Sequence, residues 1–161
     1  MARILGLPWI AGRIARQMDG QILAVNGNHV TNDLYPDQYR AGLKLFNEEE
    51  FFECHDVLEE LWSEILGPQK KFIQGLIQAS IALFHFGNEN FGGAKKLYLS
   101  ARKILVPYGD EFMGISLGSF LQDFDRCFQE LLDNTEVYPT TVTLRDELVP
   151  KIRSDVEGLV E

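Results

Sequence analysis

With 161 residues, the chain suits a single domain and is long enough to bury a real core. Its composition, 45% hydrophobic and 24% charged with no low-complexity tract, is that of a soluble globular protein. The formal net charge is -9, and residues 46–66 carry eight acidic groups without a Lys or Arg, which argues strongly against a nucleic-acid partner.

Cys54 and Cys127 are the two cysteines, each within an amphipathic run. They are expected as reduced, buried thiols of a cytoplasmic protein, because two cysteines make no disulfide framework. Pro8 and Gly12 interrupt the apolar run at the N-terminus, which does not read as a secretory signal. Phe72 to Phe86 is the most apolar segment. It contains two glutamines and a histidine and is too short to span a bilayer, so no membrane partner is expected.

Residues 1–35 read as an N-terminal extension. Ile10 to Met18 fits a short helix carrying Arg13 and Arg16, and Ile22 to Val25 followed by Asn26-Gly27 fits a hairpin whose second arm is Asn28 to Thr31. Pro36 opens a helix through Tyr39, Leu43 and Phe46, with Asp33 as its cap. Asn47 ends that helix and is expected to cap the next, with acidic residues in the first turn.

That next helix, from about Glu49 to Leu66, holds the unusual chemistry. Phe51, Leu58, Trp62, Ile65 and Leu66 gather on one side with Cys54 and Leu61 at the flank, while Glu49, Glu53, Asp56, Glu60 and Glu64 face water. His55 and Glu59, four residues apart and so neighbours on the helix surface, are expected to turn inward with Trp62.

Gly67-Pro68 marks a tight break into an antiparallel partner from about Gln69 to Phe86, apolar nearly all round and hence central and buried. Lys71, Gln74, Gln78 and His85 fall in a stripe about 60° wide. The stripe is either the one exposed edge or a polar row facing His55 and Glu59 across the hairpin. Asn88 or Asn90 caps a fourth helix, Phe91 to Leu105, locally basic through Lys95, Lys96, Arg102 and Lys103 and complementary to the acidic helix. Ser116 caps a helix to about Asp133. Residues 136–161 read as a tail, extended to Val142, with a short helix near Val149 to Leu159.

The fold class is therefore all-α, a compact multi-helix bundle with a central buried helix and an antiparallel helix hairpin, its domain spanning residues 36–135. The phrase Glu53 to Trp62, with His55, Glu59 and Trp62 in a His-x-x-x-Glu-x-x-Trp pattern, resembles domain-of-unknown-function family 309. Phe72 to Gln78 with His85, the turn Gly87-Asn88 to Gly93-Ala94, and Gly114-Ile115-Ser116 are similar to later parts of that family. The resemblance covers about residues 36 to 135 and implies an all-α fold with central buried helices. It also implies metal binding at His55 and Glu59.

A histidine and a carboxylate at this spacing can meet one ion, with His85 as the best third ligand. Zinc, manganese or iron are the candidate metals. The bland alternative is a His55–Glu59 hydrogen bond extended by Gln74 and Gln78. Two functional classes follow. One is a small helical binding or interaction module, a homo-oligomer whose cluster is structural or grips a small polar ligand through Trp62, Lys71, Gln74, Gln78 and His85. The other is a metal-dependent enzyme, a hydrolase for example, in which Glu59 orients His55 as a general base.

Overall fold

The computed structural model of the protein describes residues 14–18, 21–26, 29–30 and 35–156. Five α-helices dominate it: α1 (Asp37–Asn47), α2 (Phe51–Glu64), α3 (Pro68–Gly87), α4 (Phe91–Leu105) and α5 (Leu117–Asp133). The protein is all-α in class. Among the described residues, no helix is long and apolar enough to cross a membrane.

Three short strands precede the helices: β1 (Ile14–Met18), β2 (Gln21–Asn26) and β3 (His29–Val30), in one antiparallel sheet. β2 and β3 pair as arms of the expected hairpin, with Asn26 opposite His29, while Gly27 lies outside the described residues. The helix expected over Ile10 to Met18 does not form over its described residues, 14–18. Residues 14–18 are extended and paired to β2, Ile14 opposite Val25 and Met18 opposite Gln21, a hairpin pairing that overrides the helical spacing. The expected cap Asp33 and the N-terminal run with Pro8 and Gly12 lie outside the described residues.

α1–α2 and α3–α4 are two helical hairpins of one design, displaced by 40 positions. α2 buries Phe51, Cys54, Leu58 and Leu61, followed by Ile65, and α4 buries Phe91, Ala94, Tyr98, Ala101 and Leu105, so each buried position of one recurs in the other. In the first helices, Tyr39, Gly42, Leu43 and Phe46 of α1 match Ala79, Ala82, Leu83 and Phe86 of α3. Both corners turn through a glutamate at positive φ, Glu49 at 63° and Glu89 at 61°. Each closes its helix with paired backbone bonds, Glu50 N–H to Leu45 O at 2.9 Å and Asn90 N–H to His85 O at 2.8 Å. Helical hairpins that cannot bury their apolar faces alone stack on one another.

α3 is the shared element. It packs along both α2 and α4, and Gly75 allows Leu105 and Ile104 of α4 to come so close that a Cβ would lie 2.6 Å from Leu105 Cδ2. α5 then lies across both hairpins. Its Phe120 meets Phe46 edge-on at 5.6 Å and its Phe128 meets Phe86 at 5.1 Å, with Tyr98 stacked on Phe128 at 4.7 Å.

The remainder departs from the expected loop and tail. A hairpin of β4 (Glu111–Phe112) and β5 (Ile115–Ser116) turns at Met113-Gly114, both at positive φ. Ser116 occupies the cap position of α5, but its side chain makes no capping bond. Over the described part of the helix expected near Val149, residues 149–156 form no helix after a 3-10 turn at Asp146–Leu148, and Ile115 bridges Ser154. Val142, Val149, Ile152 and Val156 join the main core.

Asn47 explains part of this. It does not cap α2, whose cap position is Glu50 without a side-chain bond. Instead its amide clamps Ile152, donating to Ile152 O at 2.9 Å and accepting from Ile152 N–H at 2.7 Å. Replacing Asn47 with Ala should lower stability by about 1–3 kcal/mol, because buried backbone groups lose their partners. The urea midpoint should fall, and the Ile152 amide should exchange its hydrogen faster. An unchanged exchange rate there would refute the clamp.

Candidate functional site

His55, Glu59 and Trp62 each follow a buried residue (Cys54, Leu58, Leu61) by one position, which rotates them about 100° onto the shoulder of the α2 apolar stripe. His55 and Glu59 therefore do not point into the core, while the partly buried Trp62 packs against its edge. The His55 side chain is 21% exposed and half-buried, whereas that of Glu59 is 57% exposed and reaches solvent. Leu66, expected on the apolar side, is 62% exposed because α2 stops at Glu64.

His55 sits between two carboxylates. Its Nδ1 is 3.1 Å from Asp56 Oδ1 and its Nε2 is 3.3 Å from Glu59 Oε1. The Asp56 contact is a hydrogen bond, whereas the Glu59 carboxylate stands at ion-pair distance and becomes a charged partner only when the ring is an imidazolium. The Phe52 ring, itself 46% exposed, lies 5.7 Å from the imidazole.

Two contacts pin α2 to α3 along this outer seam: Phe52 against Phe84 at 5.5 Å, and Lys70 Nζ over the Trp62 ring at 4.2 Å. Between the pins, the His55–Glu59 row and the half-buried Gln74 and Gln78 border one seam. Trp62 Nε1 of α2 and Gln78 Oε1 of α3 are buried without a hydrogen-bond partner among the described residues. The other two stripe residues separate from this group. Lys71 is exposed, and His85 turns toward α4, where its Nδ1 lies 3.3 Å from Asn90 Nδ2, on the residue whose Oδ1 caps α4 through Gly93 N–H. Among the described residues, no three His, Cys, Asp or Glu side chains form a group able to hold a metal ion. The residues present therefore do not fit the His55, Glu59 and His85 ligand set.

One polar constellation had no reading in the sequence. Asp125 of α5 accepts Arg102 Nε at 2.8 Å and another guanidinium N–H at 2.9 Å, together with the Tyr98 hydroxyl. Burial alone would raise the Asp125 carboxyl, but the bonds from Arg102 and Tyr98 and the guanidinium charge outweigh it, and the net shift is downward. The Tyr98 hydroxyl is pushed up, first by burial and then by Asp125. The available signal was the i,i+4 spacing of Tyr98 and Arg102 on the face that meets α5. Lys95 is also engaged, donating to Asn134 O at 2.9 Å, which leaves Lys96 and Lys103 as the exposed cations of α4. Cys54 and Cys127 are free and buried, and burial pushes each thiol up to about 12, too high for a nucleophilic thiolate.

Fold and site together define a small all-α protein of paired helical hairpins, with a His-x-x-x-Glu-x-x-Trp row on the outer seam of its central pair. The family model described as Domain of unknown function (DUF309) matches residues 39–97, from α1 into α4. The Uncharacterized protein YpuF of Bacillus subtilis (strain 168) is 30% identical over 120 residues, covering 71% of this chain and 68% of that protein. The chain thus belongs to the DUF309 family. An Uncharacterized protein of Aquifex aeolicus (strain VF5) is 34% identical over 93 residues, covering 57% of this chain but only 27% of that longer protein.

Asp125→Asn should lower stability at neutral pH by about 1–2 kcal/mol, the loss of charge-assisted bonds that solvent partly screens. The folded-state carboxyl lies below its ordinary 3.8, so its contribution is complete above that pH and fades as pH falls through the folded-state value. Urea midpoints of the two proteins should differ at pH 7 and converge on acidification. A gap that stays constant into acid would contradict this assignment.

Proposed function

We propose that the protein is an interaction module that self-associates, and that it binds through the outer side of α2, α3 and α4. The observation that carries the reading is the exposed Phe52 ring, packed on His55 and Phe84, on a helix pair that also leaves Trp62 Nε1 and Gln78 Oε1 buried and unpartnered. An exposed aromatic on a surface with unsatisfied polar atoms is the pattern of a surface completed by a partner. The His55–Glu59 pair supports the seam by orienting the ring against Phe52. A cytoplasmic setting accords with two thiols kept free and buried.

The metal-dependent enzyme is the second reading, and the His55 Nε2–Glu59 Oε1 distance of 3.3 Å is what favours it. Two ligands fall short of the three or four that a resident zinc takes. Elemental analysis of protein purified without chelator or affinity-tag metal should find zinc, manganese and iron far below one per chain. A stoichiometric metal that disappears in His55→Ala would reverse the order of the two readings.

Light scattering on the full chain should give a mass above that of one chain, and Phe52→Ser should shift it toward one, with the helical circular dichroism unchanged. A small polar ligand held at Trp62 Nε1 and Gln78 Oε1 would leave the wild-type chain monomeric. A monomeric wild type across micromolar concentrations would sink the self-association reading.

A further inference from the structure

α3 shows a single outward row, Lys71, Gln74, Gln78, Ile81 and His85, while its other sides are buried. α2 borders this row on one side through Phe52 and Trp62, and α4 on the other, where Gly93 approaches His85 and Ile104 approaches Gly75. The outer side of the molecule is therefore three helical rows with α3 in the middle. The α2 row is acidic: Glu53, Asp56, Glu59 and Glu60 are all exposed, and among the described residues their only ionic contacts are those of Asp56 and Glu59 with His55. The α4 row is basic and apolar: Lys96, Leu99, Lys103 and then Val106 are exposed at helical spacing, and neither lysine has an ion-pair partner among the described residues. The two rows carry opposite charge, and α3 keeps them apart within one molecule.

Resting on the interaction-module reading, we infer that the partner is a second copy of this chain, placed by a two-fold axis running parallel to α3. Such an axis lays α2 of each copy on α4 of the other, and both acid–base pairings form at once. An axis across α3 would lay acidic α2 on acidic α2 and basic α4 on basic α4, which like-charge repulsion disfavours. The Phe52–Phe84 and Lys70–Trp62 contacts set α2 level with α3, and the His85–Gly93 and Gly75–Ile104 approaches set α3 level with α4. On those levels Asp56 and Glu59 fall opposite the Lys96 to Lys103 stretch of the second copy, and a closed isologous dimer results. The central rows meet through Gln74, Gln78 and Ile81, with Lys71 and His85 toward their two ends, and Phe52 and Leu99 supply apolar contact. The helices have 14, 20 and 15 residues. At about 1.5 Å rise per residue and about 10 Å between axes, they offer on the order of 700 Å² per copy, close to a standard dimer interface.

Two charge-reversed full-length variants test the axis by sedimentation at low and moderate salt: Lys96→Glu with Lys103→Glu, and Asp56→Lys with Glu59→Lys. All four side chains are exposed, so both variants should keep the wild-type circular dichroism, and Lys96→Glu with Lys103→Glu should keep its melting behaviour as well; Asp56→Lys with Glu59→Lys also removes the two carboxylates beside His55 and should melt lower. Each alone should dimerise at least about tenfold more weakly than wild type, because each now opposes like charges on both contacts. An equimolar mixture should recover a dimer of wild-type strength, since the two reversed copies complement each other at both contacts. Wild-type association should weaken as salt rises. If the wild type dimerises and the reversed variants dimerise equally well, the axis is wrong while the interaction-module reading stands. If the wild type is a monomer, both fall.

Discussion

The fold depends on two phenylalanines that occupy the same place in two hairpins. Phe46 ends the first helix of one hairpin and Phe86 the first helix of the other, and α5 reaches both, with Phe120 on the former and Phe128 on the latter. The eight-residue separation on α5 is a little over two turns, so both rings leave the same face of the helix. One helix thus roofs two hairpins that could not bury their apolar faces alone. Each buried aromatic contributes roughly 1.5–3 kcal/mol by leaving water, against about 1 kcal/mol for a partly exposed hydrogen bond. The roof decides the architecture, and the polar row on the far side of α3 is free to serve something else.

Local chemistry made much of this legible. Gly67, at φ 83°, followed by Pro68 at the first helical position, opened α3 close to where it was expected, although α2 stopped at Glu64, short of the expected Leu66. Asn90 capped α4 through Gly93 N–H, and α4 ran from Phe91 to Leu105 as its apolar spacing required. What stayed illegible was decided by contacts far along the chain. Asn47 has the right chemistry for a helix cap, yet its amide is held by Ile152, 105 positions away, and no local pattern announces that competition. Nearer by, Ile14–Met18 lost a helical spacing to pairing with the adjacent strand β2. The hairpin repeat was hidden for another reason. Few identities survive between its copies, among them Leu43 and Leu83, Phe46 and Phe86, Glu49 and Glu89, and Phe51 and Phe91, so the repeat emerges only when burial is compared position by position.

The candidate site was half legible. The spacing of His55, Glu59 and Trp62 puts them on one line of α2, from which Trp62 meets Lys70 of α3. A periodicity argument could not settle which edge of the apolar stripe that line forms, because a rotation of one residue separates the core from its rim. The rim position changes the electrostatics. A buried carboxylate would need a full set of partners, whereas Glu59, more than half exposed, keeps its solvation and needs His55 only for orientation. The same reasoning removes the pressure for a metal: nothing in the seam is charged, buried and uncompensated.

The repeat also gives the surface charge its meaning. Asp56 of α2 and Lys96 of α4 are equivalent positions of the two hairpins, both exposed, with opposite sign. Stacked hairpins present equivalent positions in parallel rows, so two copies of one design yield an acidic row and a basic row separated by a fixed width. Rows fixed in this way cannot neutralise each other within the chain, since α3 fills the space between them. Complementary rows at constant spacing on one side of a molecule match themselves under a two-fold rotation along the line midway between them, and α3 occupies that line.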